Sequence, residues 1–172
     1  MTSATNNTGA SGTTRVPFGN GFGDGIDLDG TGLSGSTTVS GNFVGFGAEF
    51  GIGLFDATGA TVEGNWSLLN KGDGIFVGDL PATGTSGIAA NSGPSTANTL
   101  SDNRASLNTL DGILADGTSA TNTFTSNSLF YNFRYDAEDA SVGGGNDGTA
   151  NTWTSNACSP KNDGSPELLC HS

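Results

Sequence analysis

Two carboxylates stand in matching surroundings in this chain: Asp73 before Gly74-Ile75, and Asp111 before Gly112-Ile113. At the next equivalent place the residue is Tyr135, flanked by Arg134 and Asp136, with Glu138 and Asp139 close behind. If a repeat stacks these places, the carboxylates lie about 5 Å apart, where they repel each other or share a cation. Arg134 would neutralise them. An acid, a base and a cation would then meet on one side of the molecule, the minimum for moving a proton. Asp73, Asp111, Arg134 and Tyr135 are therefore the candidate catalytic residues, and Asp136, Glu138 and Asp139 the candidate ligand-binding ones. A second cluster lies in Asp24-Gly25-Ile26-Asp27-Leu28-Asp29-Gly30. On a strand, Asp27 and Asp29 point to one face and offer oxygen ligands to Ca²⁺. The helices and closing glutamate of an EF-hand are missing, and calcium is the one cofactor the residues suggest.

Whether these groups meet depends on the elements that carry them. The pattern Thr-apolar-x-x-Asn occurs five times, from Thr38, Thr61, Thr99, Thr123 and Thr152, ending on Asn42, Asn65, Asn103, Asn127 and Asn156. A second asparagine follows five residues later at Asn70, Asn108 and Asn132, with Gly47 in that place in an earlier unit. Ten residues after the first asparagine comes Ile52, Ile75 or Ile113, each behind a glycine; Ala137 holds that place in the next unit. The basic unit is 23–24 residues, with an insertion near residues 79–97. Each unit has three short apolar segments bounded by Gly, Asn or Ser, which reads as strand and turn rather than helix. Three strands and three turns per unit make one rung of a parallel β-helix, an all-β solenoid of about five to six rungs. Stacking puts Val39, Val62, Leu100, Phe124 and Trp153 in one core column, and Tyr131 is expected in the core beside Phe124 and Leu129. The asparagines are expected to supply left-handed turn residues and ladders of amide hydrogen bonds.

Composition agrees. Gly numbers 29, charged residues are only 13%, and ten Phe and two Trp need burial, so a folded, turn-rich β protein fits better than helix or disorder. The net charge of −12 leaves no basic stripe to neutralise phosphates, which argues against nucleic acid. No segment resembles a signal peptide or a membrane span, so no membrane insertion is expected. Cys158 and Cys170 are expected to pair across a short loop, since only His171 is at hand as a further metal ligand. That pairing implies an oxidising, extracellular or cell-surface setting, with the chain a mature form or a piece behind a start Met. The expected organisation is a flexible segment over 1–15, repeats over 16–157 and a cap over 158–172. The uncapped N-terminal end is a candidate for self-association, unless residues 1–15 fold over it. Trp66 follows an asparagine and could stack on a sugar, but a core or sheet-packing role is the expectation; Lys71 and Arg104 are read as solvated turn positions.

The unit N-x-x-x-x-N-x-x-D/x-G-I and the ending Asn151-Thr152-Trp153-Thr154-Ser155-Asn156-Ala157-Cys158 through Leu169-Cys170 carry a resemblance. They are similar to the right-handed parallel β-helix repeat proteins of the pectate-lyase-like superfamily, most of all to its bacterial secreted members. The resemblance spans roughly residues 16–172, implies the right-handed sense, and leaves activity open, because that superfamily holds lyases, epimerases, hydrolases, adhesins and non-catalytic proteins. Its lyases and epimerases take a proton from beside a uronate carboxylate, which implies that use for Asp73, Asp111, Arg134 and Tyr135. Only Arg134 stands as a base or cation beside the carboxylates. The leading expectation is thus an exported module with a structural or polysaccharide-binding role and no catalysis of its own. The alternative is a polysaccharide lyase or uronate C5-epimerase.

Overall fold

The computed structural model describes residues 14–15, 25–29, 37–46, 49–79, 93–159 and 169–170. Residues 1–13, residues 80–92 of the insertion, residues 160–168 of the cap and His171 lie outside them. β1 (Thr14–Arg15) and β2 (Ile26–Asp29) are followed by repeating triplets of strands. These are β3 (Thr38–Ser40), β4 (Phe43–Gly45) and β5 (Ile52–Phe55), then β6 (Thr61–Glu63), β7 (Trp66–Leu68) and β8 (Ile75–Gly78). β9 (Thr99–Ser101), β10 (Arg104–Ser106) and β11 (Ile113–Ala115) form the next, and β12 (Thr123–Thr125), β13 (Ser128–Phe130) and β14 (Ala137–Asp139) the one after. β15 (Thr152–Thr154) and β16 (Ala157–Cys158) close the series.

Like strands stack in register into three sheets of five parallel strands each: β3-β6-β9-β12-β15, β4-β7-β10-β13-β16 and β2-β5-β8-β11-β14. They are called here the first, second and third sheets. β1 joins the third antiparallel to β2, so Thr14 and Arg15 do fold against that N-terminal edge. Among the described residues there is no helix.

The strands of the first two sheets are short because a left-handed residue turns the chain after each strand of the first sheet and after β4, β7, β10 and β13. Between the first and second sheets it is Gly41, Gly64, Asp102, Ser126 or Ser155, all with φ between 54° and 65°. The left-handed residue thus precedes each asparagine instead of being the asparagine, a correction to the sequence expectation. The asparagine does something else. In Asn65, Asn103 and Asn127 the N–H and the Nδ2 both donate to Oδ1 of the asparagine in the next rung, and the other amide hydrogen goes to a carbonyl of the rung before.

The main ladder runs Asn42–Asn65–Asn103–Asn127–Asn156 with Nδ2 to Oδ1 distances of 2.9–3.0 Å. A second runs Asn70–Asn108–Asn132 at 3.0 Å. A third, Asn98–Asn122–Asn151 at 2.9–3.0 Å, was not anticipated from the repeat. All are buried, where amide groups need partners, and the exceptions are the Oδ1 atoms of Asn42 and Asn70, which start their ladders and have no partner among the described residues. The second ladder also explains the glycine before each isoleucine. A Cβ on Gly74 would lie 2.6 Å from Asn108 Nδ2, and one on Gly112 would lie 2.6 Å from Asn132 Nδ2.

The core column Val39, Val62, Leu100, Phe124, Trp153 is fully buried and widens along the axis, ending in Phe124 and Trp153 stacked 4.0 Å apart. The facing column shrinks to match, from Leu54 through Val77 and Ala115 to Asp139. Total volume per rung is thereby kept, as close packing requires. At the C-terminal end Asn146 imitates a further strand, accepting from Trp153 N–H at 2.7 Å and donating to its carbonyl at 2.6 Å. Cys158 and Cys170 form a disulfide, and Leu169 is buried beside it.

Candidate functional site

Asp73 and Asp111 do lie one above the other. The Asp111 N–H donates to Asp73 Oδ1 at 2.8 Å, and the Tyr135 N–H donates to Asp111 Oδ1 at 2.9 Å. Arg134 donates through Nε to Asp111 Oδ1 at 3.1 Å, and its terminal nitrogen sits 3.0 Å from Oδ2 and also pairs with Glu138. The four candidate catalytic residues are therefore brought together. Both aspartates are buried, however, and burial pushes the Asp73 carboxyl up to about 7. Burial also raises Asp111, with Arg134 opposing it. A carboxylate ladder of this kind ties rungs together. Only Arg134 and Tyr135 of the four reach the surface, the guanidinium 5.7 Å from the tyrosine ring, while the two carboxylates lie beneath them.

The other candidates are placed inside the wall. Asp136 is wholly buried and accepts from Asn132 and from the Ser159 N–H. Asp139 is buried too, with Oδ1 taken by Ser141 and Oδ2 by Asn151 Nδ2 and Trp153 Nε1. Only Glu138 of the three expected ligand-binding residues keeps partial exposure, and it is paired to Arg134. Asp27 is buried, and the Asp29 side chain lies outside the described part. Among the described residues no three His, Cys, Asp or Glu side chains come together as metal ligands.

The structure instead exposes an aromatic face, of which the sequence suggested only that Trp66 could stack on a sugar. The outward side of the first sheet is monotonous: Thr38, Thr61, Thr99, Thr123 and Thr152 fill one column. The outward side of the second sheet breaks the repeat. One column reads Phe43, Trp66, Arg104, Ser128 and the next Gly45, Leu68, Ser106, Phe130. Trp66 is about half exposed (48%), which corrects its reading as a packing residue, and Arg104 begins a strand with its guanidinium 5.2 Å from the Trp66 ring. Tyr131, expected in the core, is 73% exposed.

The turn leaving this sheet is equally unusual. Its left-handed positions carry Phe46, Leu69, Leu107 and Tyr131, where the turn before it uses Gly, Asp or Ser. A large side chain there costs about 1–2 kcal/mol, and such strain gathers at working surfaces. Together Trp66, Leu68, Arg104, Ser106, Leu107, Phe130 and Tyr131 line an open groove of about 540 Å³. At its floor Ser106 stands between Leu68 and Phe130, with its Oγ buried and unpartnered among the described residues. An unmet buried hydroxyl costs about 1–3 kcal/mol. The signal available in the sequence was the row of large residues just before the second asparagine column.

Three parallel sheets wound about internal asparagine ladders, with one face given over to an open groove, define a β-helical structural or binding module. The family of the right-handed β-helix region matches residues 6–162, and the chain belongs to it. That match carries the right-handed sense implied by the earlier resemblance. No curated protein and no solved structure matches the chain. The disulfide is compatible with an extracellular location, and no helix among the described residues is long and apolar enough to cross a membrane.

Proposed function

We propose that the chain is an exported β-helix module that binds carbohydrate on the outer face of its second sheet and performs no catalysis of its own. One observation carries this reading: the groove flanked by Trp66 and Tyr131 is open, mostly apolar and floored by an unmet hydroxyl. Flat rings give the C–H faces of sugars a platform, and a few polar groups fix orientation. The carboxylates that a lyase or epimerase would use are taken up instead by backbone N–H groups and Arg134. The disulfide supports export.

The test is retention of the whole chain on a panel of insoluble polysaccharides, with supernatants assayed for unsaturated uronate products. Retention without product is expected, and Trp66→Ala should abolish it. Release of product, or failure to bind any polysaccharide, overturns the proposal.

A further inference from the structure

We infer that the groove over Ser106 takes an uncharged glycan, and that the Ser106 hydroxyl reads one of its hydroxyl groups. This rests on the carbohydrate-binding reading above and narrows it. Ser106 is only 5% exposed, and its Oγ has no hydrogen-bond partner among the described residues. Arg104 at one end of the same strand points outward beside it, so the serine side chain faces the groove and not the core. A sugar hydroxyl both donates and accepts, which meets each capacity of a serine hydroxyl at once.

Charge decides between sugar classes. Among the described residues Arg104 is the one cation lining the groove, and it already lies over Trp66. The chain as a whole carries −12. A polyuronate or sulfated polymer approaching this surface is repelled by the long-range field, and a single guanidinium does not reverse that. An uncharged chain meets no such barrier. Geometry decides against a peptide strand: β10 is hydrogen-bonded to β7 on one side and β13 on the other, so no edge is open for strand addition. Trp66 and Tyr131 belong to rungs two apart, a separation of about 10 Å that suits a short run of rings lying along the helix axis.

The experiment titrates the full chain with cello-, manno-, xylo- and chito-oligosaccharides, and with uronate oligomers of matched length, by calorimetry. Intrinsic fluorescence follows Trp66 alongside. One uncharged series should bind with an affinity indifferent to added salt. Ser106→Ala should weaken that binding about five- to tenfold, the value of one neutral hydrogen bond, while leaving thermal stability unchanged or higher. Tighter, salt-sensitive binding of the uronates overturns this inference and leaves the carbohydrate reading intact. Full affinity in Ser106→Ala removes the role given to its hydroxyl. Binding of no oligosaccharide, charged or uncharged, overturns both readings.

Discussion

Asn132 ends its ladder on Asp136: its N–H and its Nδ2 both donate to Asp136 Oδ1, at 3.0 and 2.8 Å. Asp136 stands where earlier rungs have Gly74 and Gly112, and the exchange has a physical reason. Those glycines leave room for the asparagine of the following rung. At Asp136 no further asparagine joins the second ladder among the described residues, and the Asp136 carboxylate stands as the acceptor there. Its second oxygen takes the Ser159 N–H at 2.7 Å. The break in the repeat at Arg134-Tyr135-Asp136 therefore marks the end of a ladder.

Asp136→Ala leaves three donors without their acceptor, and should cost about 2–4 kcal/mol in urea denaturation. Asp136→Asn keeps an amide oxygen in place and should lose distinctly less. Equal losses from the two variants would show that charge, not the acceptor, holds this end together.

Asp73 makes stability depend on pH in an unusual direction for a carboxylate. Burial raises it from 3.8 to about 7, so the folded state holds the proton more tightly than the unfolded chain does. The stabilisation linked to that proton is complete below the unfolded value and is lost as pH rises through the folded one. Asp111, raised by burial as well, acts in the same sense. The protein should therefore be more resistant to urea near pH 5 than near pH 8, by a few kcal/mol at most. Asp73→Asn should flatten the profile across that window, since its amide oxygen still accepts the Asp111 N–H. A variant profile parallel to the wild type would show that the slope arises elsewhere.

Much of the fold was legible because the repeat fixes it. Asn65, Asn103 and Asn127 recur at one place in the unit, so the main ladder and the Val62–Leu100–Phe124 column could be read directly. The third ladder was missed because Asn98, Asn122 and Asn151 sit immediately before the threonine used for alignment and have Ala60 and Thr37 as counterparts in earlier rungs. The groove was harder to see. Trp66 and Tyr131 are aromatic in a chain short of hydrophobic mass, and burial is the default for such residues. Which way they point is set by strand register and by a left-handed turn, and apolar character does not determine either. Asp136 and Asp139 look like surface charges in sequence, yet at a ladder's end an acceptor is worth burying.

The disulfide closes a loop between residues 158 and 170, with Leu169 buried against the core just before Cys170. Thiol titration of the unfolded, unreduced protein should find no free thiol, and two would refute the pairing. Cys170→Ser should cost about 2–4 kcal/mol, because the unfolded chain regains the freedom that the closed loop denies it. Protease nicking confined to residues beyond Ser159 in that variant would place the damage in the cap, with the five-rung body intact.

Tyr131 offers a test of strain held for binding. Its φ is 61°, its ring is mostly exposed, and it flanks the groove opposite Trp66. Glycine adopts this conformation without the cost that a side chain incurs, about 1–2 kcal/mol. Tyr131→Gly keeps the backbone N–H that donates to Ser159 Oγ at 2.9 Å and gives up little buried area. It should therefore leave the melting temperature equal or raised while weakening glycan binding about tenfold or more. Gly64, at the equivalent corner of the turn before, already shows that the fold accepts glycine in such a place. A drop in both stability and affinity would mean that the tyrosine is held for packing. A gain in stability with unchanged affinity would remove it from the binding surface.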